Sequence, residues 1–446
     1  MKVLLVSFWF PPTNAIGALR VGKFAKYLHE AGHDVRVLSG RTAGDHTLPL
    51  EFPEDRVVRT PAWQVDELLD PLVSSVRRAA RLAGLRRTSG ETEGPQASPT
   101  LQNPELLLQS RLKRHYYALV QVPDSRNGWL GSAVRAGREV LKSWRPDVMV
   151  ASAPPFTTLL VARRLSREFD LPWLAEFRDL WADNPYYGFP EWRRRIDDLV
   201  ERWTLKRASA LTTVTPLWAR TLQQKYPHPV LTILNGFAEE DLPPDGLEQP
   251  KSGPLTILYT GNIYAGYRDP SPLFEAISLL GPQRNDVVVR FYGPEESDIR
   301  PLAERYGVQD RVVVCPRVSY RQSLALQAQS DILLLLQWNH IKDEGNIPAK
   351  FFEYIGALRP MLFLGYETGT LAQMIRQRAA GFVSNSPQEI AAQLVRWIGQ
   401  RSLGIPALDI SVRAGLSRAE QFRSYENFLR ERFDPAGASL QATLGP

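Results

Sequence analysis

The apolar positions of this chain fall into a repeating alternation of strand and helix. Val3 to Phe8 is a continuous apolar run, the mark of a strand buried on both faces. A turn-rich segment, Phe10-Pro-Pro-Thr-Asn-Ala-Ile-Gly17, follows it. An amphipathic helix is predicted from Ala18 to Glu30, stopped by Gly32, and a second strand over Asp34 to Leu38. The pattern resumes with strands at 147–152, 173–177, 210–214 and 230–234. A Pro- and charge-rich stretch, Glu239 to Pro254, then precedes a second series at 255–260, 287–292, 311–314, 331–336 and 360–364, with helices between them. Strands separated by helices require right-handed crossovers and hence parallel sheets. The pattern therefore predicts an α/β chain of two Rossmann-like doubly wound domains facing across a cleft, with ligands at the carboxyl ends of the strands.

The expected boundaries are 1–238 for the first domain, 239–408 for the second, and 409–446 for a C-terminal helix and tail returning to the first. The stretch from about 42 to 128 does not fit the alternation and reads as a basic insertion. Within it, 88–104 has the composition of a linker. Leu68, Leu69, Leu72, Val73, Val76 and Ala80 recur at helical spacing, with Arg77, Arg78 and Arg81 near them. Such a helix near 68–81 can lie on an anionic membrane surface; packing on the body with solvated arginines is the alternative.

Composition narrows the classes. Of 446 residues, 43% are hydrophobic and 23% charged, which excludes wholesale disorder and fibrous folds. Lys plus Arg number 54 against 48 Asp plus Glu, an excess of +6 that permits an anionic ligand without demanding nucleic acid. The one cysteine, Cys315, allows no internal disulfide and suits a reducing compartment. No apolar run reaches the ~20 residues of a membrane helix, and the N-terminus lacks a signal-peptide pattern, so a cytoplasmic protein is expected, with attachment to the inner membrane face open.

Two loops carry candidate chemistry. Gly17 is expected just before a helix N-terminus, where unpaired amides and the helix dipole favour an anion. The loop has no G-x-G-x-x-G, and the second strand ends Val-Leu-Ser-Gly40 without a ribose-binding acid, which argues against a dinucleotide dehydrogenase. The more informative segment is Glu344-Gly345-Asn346-Ile347-Pro348-Ala-Lys350-Phe-Phe-Glu353. A glycine turn leads into a helix starting near Pro348, with Lys350 in its first turn. A cation there opposes the helix dipole, so it points to an anionic ligand. Glu353 shares its face at i, i+3: the lysine can neutralise phosphate while the glutamate accepts hydrogen bonds from sugar hydroxyls.

Gly345-x-x-Pro348-x-Lys350-Phe-Phe-Glu353-Tyr354, followed by Ala357-x-x-Pro360, resembles the donor-site signature of the family 4 glycosyltransferases. Phe10-Pro-Pro with Gly17, Leu28-x-x-x-Gly32-His33, Phe177-Arg178-Asp179-Leu180-Trp181, Thr213-Val-Thr-Pro216, Leu234-Asn235-Gly236 and Tyr259-Thr260-Gly261-Asn262 follow the family's order across nearly the whole chain outside 42–128. The resemblance implies the two-domain GT-B fold and retaining transfer of a sugar from a nucleoside diphosphate to an acceptor hydroxyl, on a glycan or lipid-linked acceptor of cell-surface polysaccharide or glycolipid assembly. It implies that Lys350 and a second cation hold the donor diphosphate. The family's usual arginine is replaced by Asn262, which leaves Arg268 as the candidate. Glu353 would bind the ribose, and Val318 the base through its backbone. The first glutamate of the family's pair falls on Gly345, one residue from Glu344, so amides of Gly345, Asn346 and Ile347 are candidates for reading the sugar. Asp179, with Arg178 beside it, is the candidate near the reacting carbon, a turn N-cap being its structural alternative. No metal or other cofactor is expected, because cations and helix amides can neutralise the leaving diphosphate. A non-hydrolysing sugar-nucleotide epimerase and a non-catalytic sugar-nucleotide-binding protein are the competing readings.

Overall fold

The computed structural model describes residues 1–42, 46–63, 114–242, 253–264 and 266–434. The basic segment expected near 68–81 and the 88–104 linker lie outside the described residues. The chain forms two compact units. The first contains Met1–Val214, Trp218–Ile233 and Phe422 onward; the second contains Thr215–Leu217 and Leu234–Gln421.

The first unit is built on a seven-stranded sheet. Its strands are β1 (Lys2–Ser7), β2 (Asp34–Gly40), β3 (Val57–Thr60), β4 (Val148–Ala153), β5 (Trp173–Phe177), β6 (Ala210–Thr213) and β7 (Val230–Thr232). They are parallel and lie in the order β3-β2-β1-β4-β5-β6-β7. The described helices beside them are α1 (Ile16–Glu30), α2 (Leu130–Ser143), α3 (Thr157–Phe169), α4 (Glu191–Leu205) and most of α5 (Pro216–Lys225). Side chains leave β1 alternately: Leu4 and Val6 enter one core with Trp129, Leu141 and Trp173, while Val3 and Leu5 enter the other with Phe24, Leu28 and Tyr425. Truncating a fully buried leucine such as Leu28 to alanine costs about 2–5 kcal/mol in such cores. Strand β3 corrects one expectation. Residues 57–60, within the stretch expected to be irregular, pair with β2 from Val37↔Val57 to Gly40↔Thr60. The strand is short and only Thr60 is buried, so its pattern carried no periodic signal.

The second unit repeats the plan with six strands: β8 (Leu255–Thr260), β9 (Val287–Tyr292), β10 (Val312–Cys315), β11 (Ile332–Leu336), β12 (Met361–Leu364) and β13 (Gly381–Val383), in the order β10-β9-β8-β11-β12-β13. Its helices are α6 (Ser271–Leu279), α7 (Glu296–Arg305), α8 (Tyr320–Gln329), α9 (Ala349–Ala357), α10 (Thr370–Gln377) and α11 (Pro387–Arg401). Helix α12 (Arg418–Phe433) closes the described chain, and its residues from Phe422 belong to the first unit. There Tyr425 stacks on Phe24 with centroids 4.5 Å apart. Each sheet thus has the doubly wound order in which the chain reverses direction between its first and fourth strands, β1/β4 and β8/β11. Loops leaving the carboxyl ends of those strands splay apart and leave room for a ligand.

Candidate functional site

In the second unit the switch point is built from glycine and lysine. Strand β8 runs into Gly261 at φ +116°, and β9 into Gly293 at φ +115°, conformations that side-chain-bearing residues rarely adopt. The Gly261 amide donates to the Tyr292 carbonyl at 2.7 Å, bringing the two turns together. A Cβ on Gly261 would lie 2.3 Å from Lys350 Nζ, so the lysine ammonium lies against the bare glycine. Lys350 comes from the first turn of α9, whose N-cap, Pro348, supplies no side-chain cap and whose first turn holds no acid. The loop feeding this helix is braced from beneath: Gln337 Nε2 donates to the carbonyls of Asp343 (3.1 Å) and Asn346 (2.9 Å). Gly345 and Ile347 are buried within it. The Glu344 carbonyl accepts from Thr370 N at 2.9 Å, which fixes that carbonyl and leaves the carboxylate to its own rotamers.

A second cation stands beside the first. Arg268 Nη1 donates to the Asn262 carbonyl at 2.8 Å, and its guanidinium lies over the Tyr264 ring at 4.5 Å. Lys350 Nζ lies 5.5 Å from the centroid of Tyr259. Burial, and then the charge of Arg268, push the Lys350 ammonium down from 10.5 to about 8, and Glu353 only partly offsets this. Two like charges held near one point disfavour each other, which is the electrostatic mark of a place for a polyanion. Glu353 is oriented by Gln327, whose Nε2 also reaches Thr260 Oγ1 (3.1 Å) and Ser323 Oγ (3.1 Å) and meets Glu353 Oε2 at 3.0 Å. Gln327 was not a sequence candidate; a buried polar residue on an otherwise apolar helix face was the signal. Val318 lies half-buried in the turn before α8, where Ser319 and Gln322 form a capping box, and the neighbouring Arg317 donates to Asn262 Oδ1 at 2.9 Å. The structure therefore gathers Arg268, Lys350 and Glu353 around Gly261. It sets the 344–347 turn immediately before them in the chain.

Gly17 and Asp179 belong to the first unit. Helix α1 begins at Ile16 with Ala15 as N-cap, so Gly17 lies inside the first turn, a correction to its expected place ahead of the helix. A first turn tolerates the glycine, because its amide has no helical partner there anyway. A Cβ at Gly17 would overlap Arg178 Nη1, so the guanidinium covers the glycine. Arg178 is anchored by the carbonyls of Ala153, which accepts its backbone N–H at 2.9 Å and its Nε at 3.3 Å, and of Pro154, which accepts from Nη2. Beneath it lies a buried pair: Arg20 Nη2 to Glu176 Oε1 is 2.9 Å, and the same nitrogen donates to the Ile233 carbonyl at 3.1 Å. Asp179 follows. Its carboxylate caps no turn and accepts no hydrogen bond among the described residues. Burial raises it to about 6, opposed by the charge of Arg178. No group of three or more His, Cys, Asp or Glu side chains suited to a metal occurs among the described residues.

Two doubly wound sheets in succession, with a glycine-and-lysine switch point in the second, define a GT-B architecture. Residues 110–236 match the family model described as a glycosyl transferase 4-like domain. Solved structures of the same fold include Anabaena HepE in complex with UDP-glucose, at 13% identity over 97% of this chain and 100% of that one with a TM-score of 0.59. A glycosyltransferase from Rickettsia africae ESF-5 matches at 14% identity over 97% and 99%, TM-score 0.58. A Listeria monocytogenes protein assigned as a UDP-N-acetylglucosamine 2-epimerase matches at 12% over 97% and 96%, TM-score 0.50. No curated protein matches the chain in sequence. Residues 110–236 thus resemble a glycosyl transferase 4-like domain, and the chain as a whole shares the GT-B fold of these structures.

Proposed function

We propose that the protein transfers a sugar, with retention at the anomeric carbon, from a nucleoside-diphosphate sugar to a glycan or lipid-linked acceptor in cell-surface polysaccharide or glycolipid assembly. The observation that carries this is the placement of the Lys350 ammonium against Gly261, beside Arg268, at an α9 N-terminus with no side-chain cap. A diphosphate would relieve the repulsion between the two cations and accept from the helix amides. As the sugar–phosphate bond breaks, negative charge grows on the leaving diphosphate, and these fixed donors stabilise it more than they stabilise the bound substrate. Glu353, held by Gln327, would accept from the ribose hydroxyls, and the backbone at Val318 would meet the base. The amides of Gly345, Asn346 and Ile347, with the Glu344 side chain, would read the sugar. Asp179 would act on the acceptor side, and the first-turn amide at Gly17 would assist through Arg178. HepE's complex with UDP-glucose supports a uridine donor. No metal or further cofactor enters this scheme.

Among the described residues no helix is long and apolar enough to cross a membrane. A cytoplasmic enzyme working at the inner membrane face is proposed on the nature of such acceptors, with the basic 68–81 segment as one candidate foot. The test is a thermal-shift screen against a panel of sugar nucleotides, followed by NMR of the stabilising donor with and without acceptor. A ligand at 100 times its Kd adds about 2.7 kcal/mol of stability. Turnover that needs an acceptor supports transfer. Epimerisation of the donor alone would move the protein to the epimerase class that shares its fold, and stabilisation without turnover would leave a binding protein.

A further inference from the structure

Helix α4 (Glu191–Leu205) is inverted. Its inner face buries charge: Arg193 is 0% exposed, and Asp197 and Glu201 are 1% exposed. Each is fully engaged. Arg193 donates to the carbonyls of Ala118 (2.5 Å), Gln121 (2.6 Å) and Pro123 (3.1 Å), and to Asp197 Oδ1 at 3.0 Å. Glu201 accepts from the Ala182 amide at 3.0 Å and Tyr226 Oη at 2.7 Å. The outer face is apolar instead. Trp192, Ile196, Leu199 and Trp203 are all exposed, Leu199 at 67% and Trp203 at 56%. At 100° per residue these four lie within one narrow stripe, about 16 Å long at 1.5 Å per residue. A soluble helix ordinarily has the opposite arrangement, and leaving two tryptophans in water forgoes the burial that drives folding.

The charges bordering the stripe are basic. Arg195 and Lys206 lie exposed along one side, and Arg207 on the other reaches Asp170 only at 3.8 Å. Arg163 of α3 (Thr157–Phe169) stacks its guanidinium 3.6 Å from the Trp203 ring centroid, a cation fixed over the apolar strip. The helix's other acids are occupied: Asp198 pairs with Arg202 at 2.8 Å and with Lys225 at 2.7 Å, and Glu191 meets Arg194 at 3.8 Å.

We propose that this face of α4 seats the protein on an anionic lipid bilayer, with Trp192, Ile196, Leu199 and Trp203 in the headgroup–acyl boundary and Arg195, Lys206 and Arg207 among the lipid phosphates. Charge complementarity selects this occupant. Tryptophan at each end of the stripe suits the membrane–water boundary, where the ring is apolar and the indole N–H stays wet. A flank of one sign suits a surface of the other sign. A second copy docked through the same face would oppose arginines to arginines. The contact deepens the reading of a membrane-face enzyme by naming the surface, and it does not depend on the donor chemistry.

The experiment is co-sedimentation of the full chain with phosphatidylcholine vesicles, with and without phosphatidylglycerol, while stabilisation by UDP is followed in the same preparations. The wild type binds the anionic vesicles, less at high salt, with a blue shift of tryptophan emission. Ile196→Glu with Leu199→Glu, both exposed and outside the donor site, lowers that binding roughly tenfold or more and leaves Tm and the UDP shift unchanged. The proposal falls if the wild type does not bind, or if the double variant binds equally well. It falls too if neutralising Arg77, Arg78 and Arg81 alone abolishes binding, or if the double variant instead dissolves a dimer. A lost UDP shift in the wild type would count against the donor site and leave this contact standing.

Discussion

At each switch point a cation lies against a glycine, but the two cations are held differently. In the first unit Arg178 covers Gly17 and is anchored by the carbonyls of Ala153 and Pro154. In the second, Lys350 covers Gly261, and among the described residues its ammonium donates no hydrogen bond; its neighbours are the Tyr259 ring, a second cation, and Glu353, whose charge offsets only part of the burial and repulsion. The same contrast separates the Arg20–Glu176 pair from Lys350. A buried charge with its partner in place is scaffold, whereas a buried charge beside one of its own sign waits for something the protein does not supply. One strand order therefore serves two purposes, with the polar groups deciding which.

The comparison breaks first at the scaffold. Glu176→Ala removes the carboxylate paired with the buried Arg20, and stability in urea should fall by about 3–5 kcal/mol, the usual penalty for breaking a buried pair by removing one member. A loss below about 1 kcal/mol, the scale of an exposed pair, would show that the pair is not holding α1 to the sheet.

Lys350 should behave in the opposite sense. If Lys350 stabilises the leaving diphosphate as proposed, Lys350→Ala should lower turnover by ~10²–10³, the cost of one electrostatic donor, measured as nucleoside-diphosphate release with acceptor present. Near-normal turnover would remove the lysine from the site. Stability should move the other way. With a folded value of about 8 against an ordinary 10.5, the unfolded chain binds more protons between those limits, so stability rises with pH from about 8 to 10.5. Below pH 8 the folded protein carries the full cost of that ammonium. Lys350→Met should accordingly raise the Tm of the ligand-free protein at pH 7 while losing the UDP shift; a lower Tm would show that the lysine is compensated after all.

Gly261 tests the geometry that joins them. Gly261→Ala must hold a side chain at φ +116° and displace Lys350 Nζ from a Cβ otherwise 2.3 Å away. The strained backbone alone should cost about 1–3 kcal/mol in urea unfolding, and UDP affinity should fall with it. Unchanged affinity would mean that Lys350 reaches the diphosphate without resting on this glycine.

What could be read in the sequence follows the same division. Strands buried on both faces announce themselves: Trp173–Phe177, Leu255–Thr260 and Val287–Tyr292 fall where the apolar runs place them. The short edge strands Val57–Thr60 and Gly381–Val383 were not visible, because three or four half-covered residues carry no period. At the site, Lys350 was legible as a cation on the wrong end of a helix, and Glu353 followed at i, i+3. The cover of Gly17 by Arg178 and the bracing of Glu353 by Gln327 were not, since both are contacts between elements far apart in sequence. The inversion of α4 was hidden for another reason. Its apolar residues recur at helical spacing whichever face they occupy, and only the partners of Arg193 and Glu201 reveal which side is in.

Asp179 offers the smallest and sharpest test, because it is the first unit's counterpart of Lys350. Its folded value of about 6 stands above the ordinary 3.8, so the folded protein binds more protons between those limits and loses stability as pH rises from about 3.8 to 6. Above pH 6 the penalty of a desolvated carboxylate is fully present, with Arg178 relieving only part of it. Asp179→Asn removes that penalty. At pH 7 the variant should be more stable than the wild type by about 1 kcal/mol, the full shift being discounted because the group is only part-buried and solvent screens part of the penalty. Its stability curve should be flatter between pH 4 and 6, and transfer should slow if the carboxylate serves the acceptor. Loss of stability at pH 7 would mean that Asp179 is a cap or a structural partner after all, and the two units would then differ in kind, with a site charge in the second only.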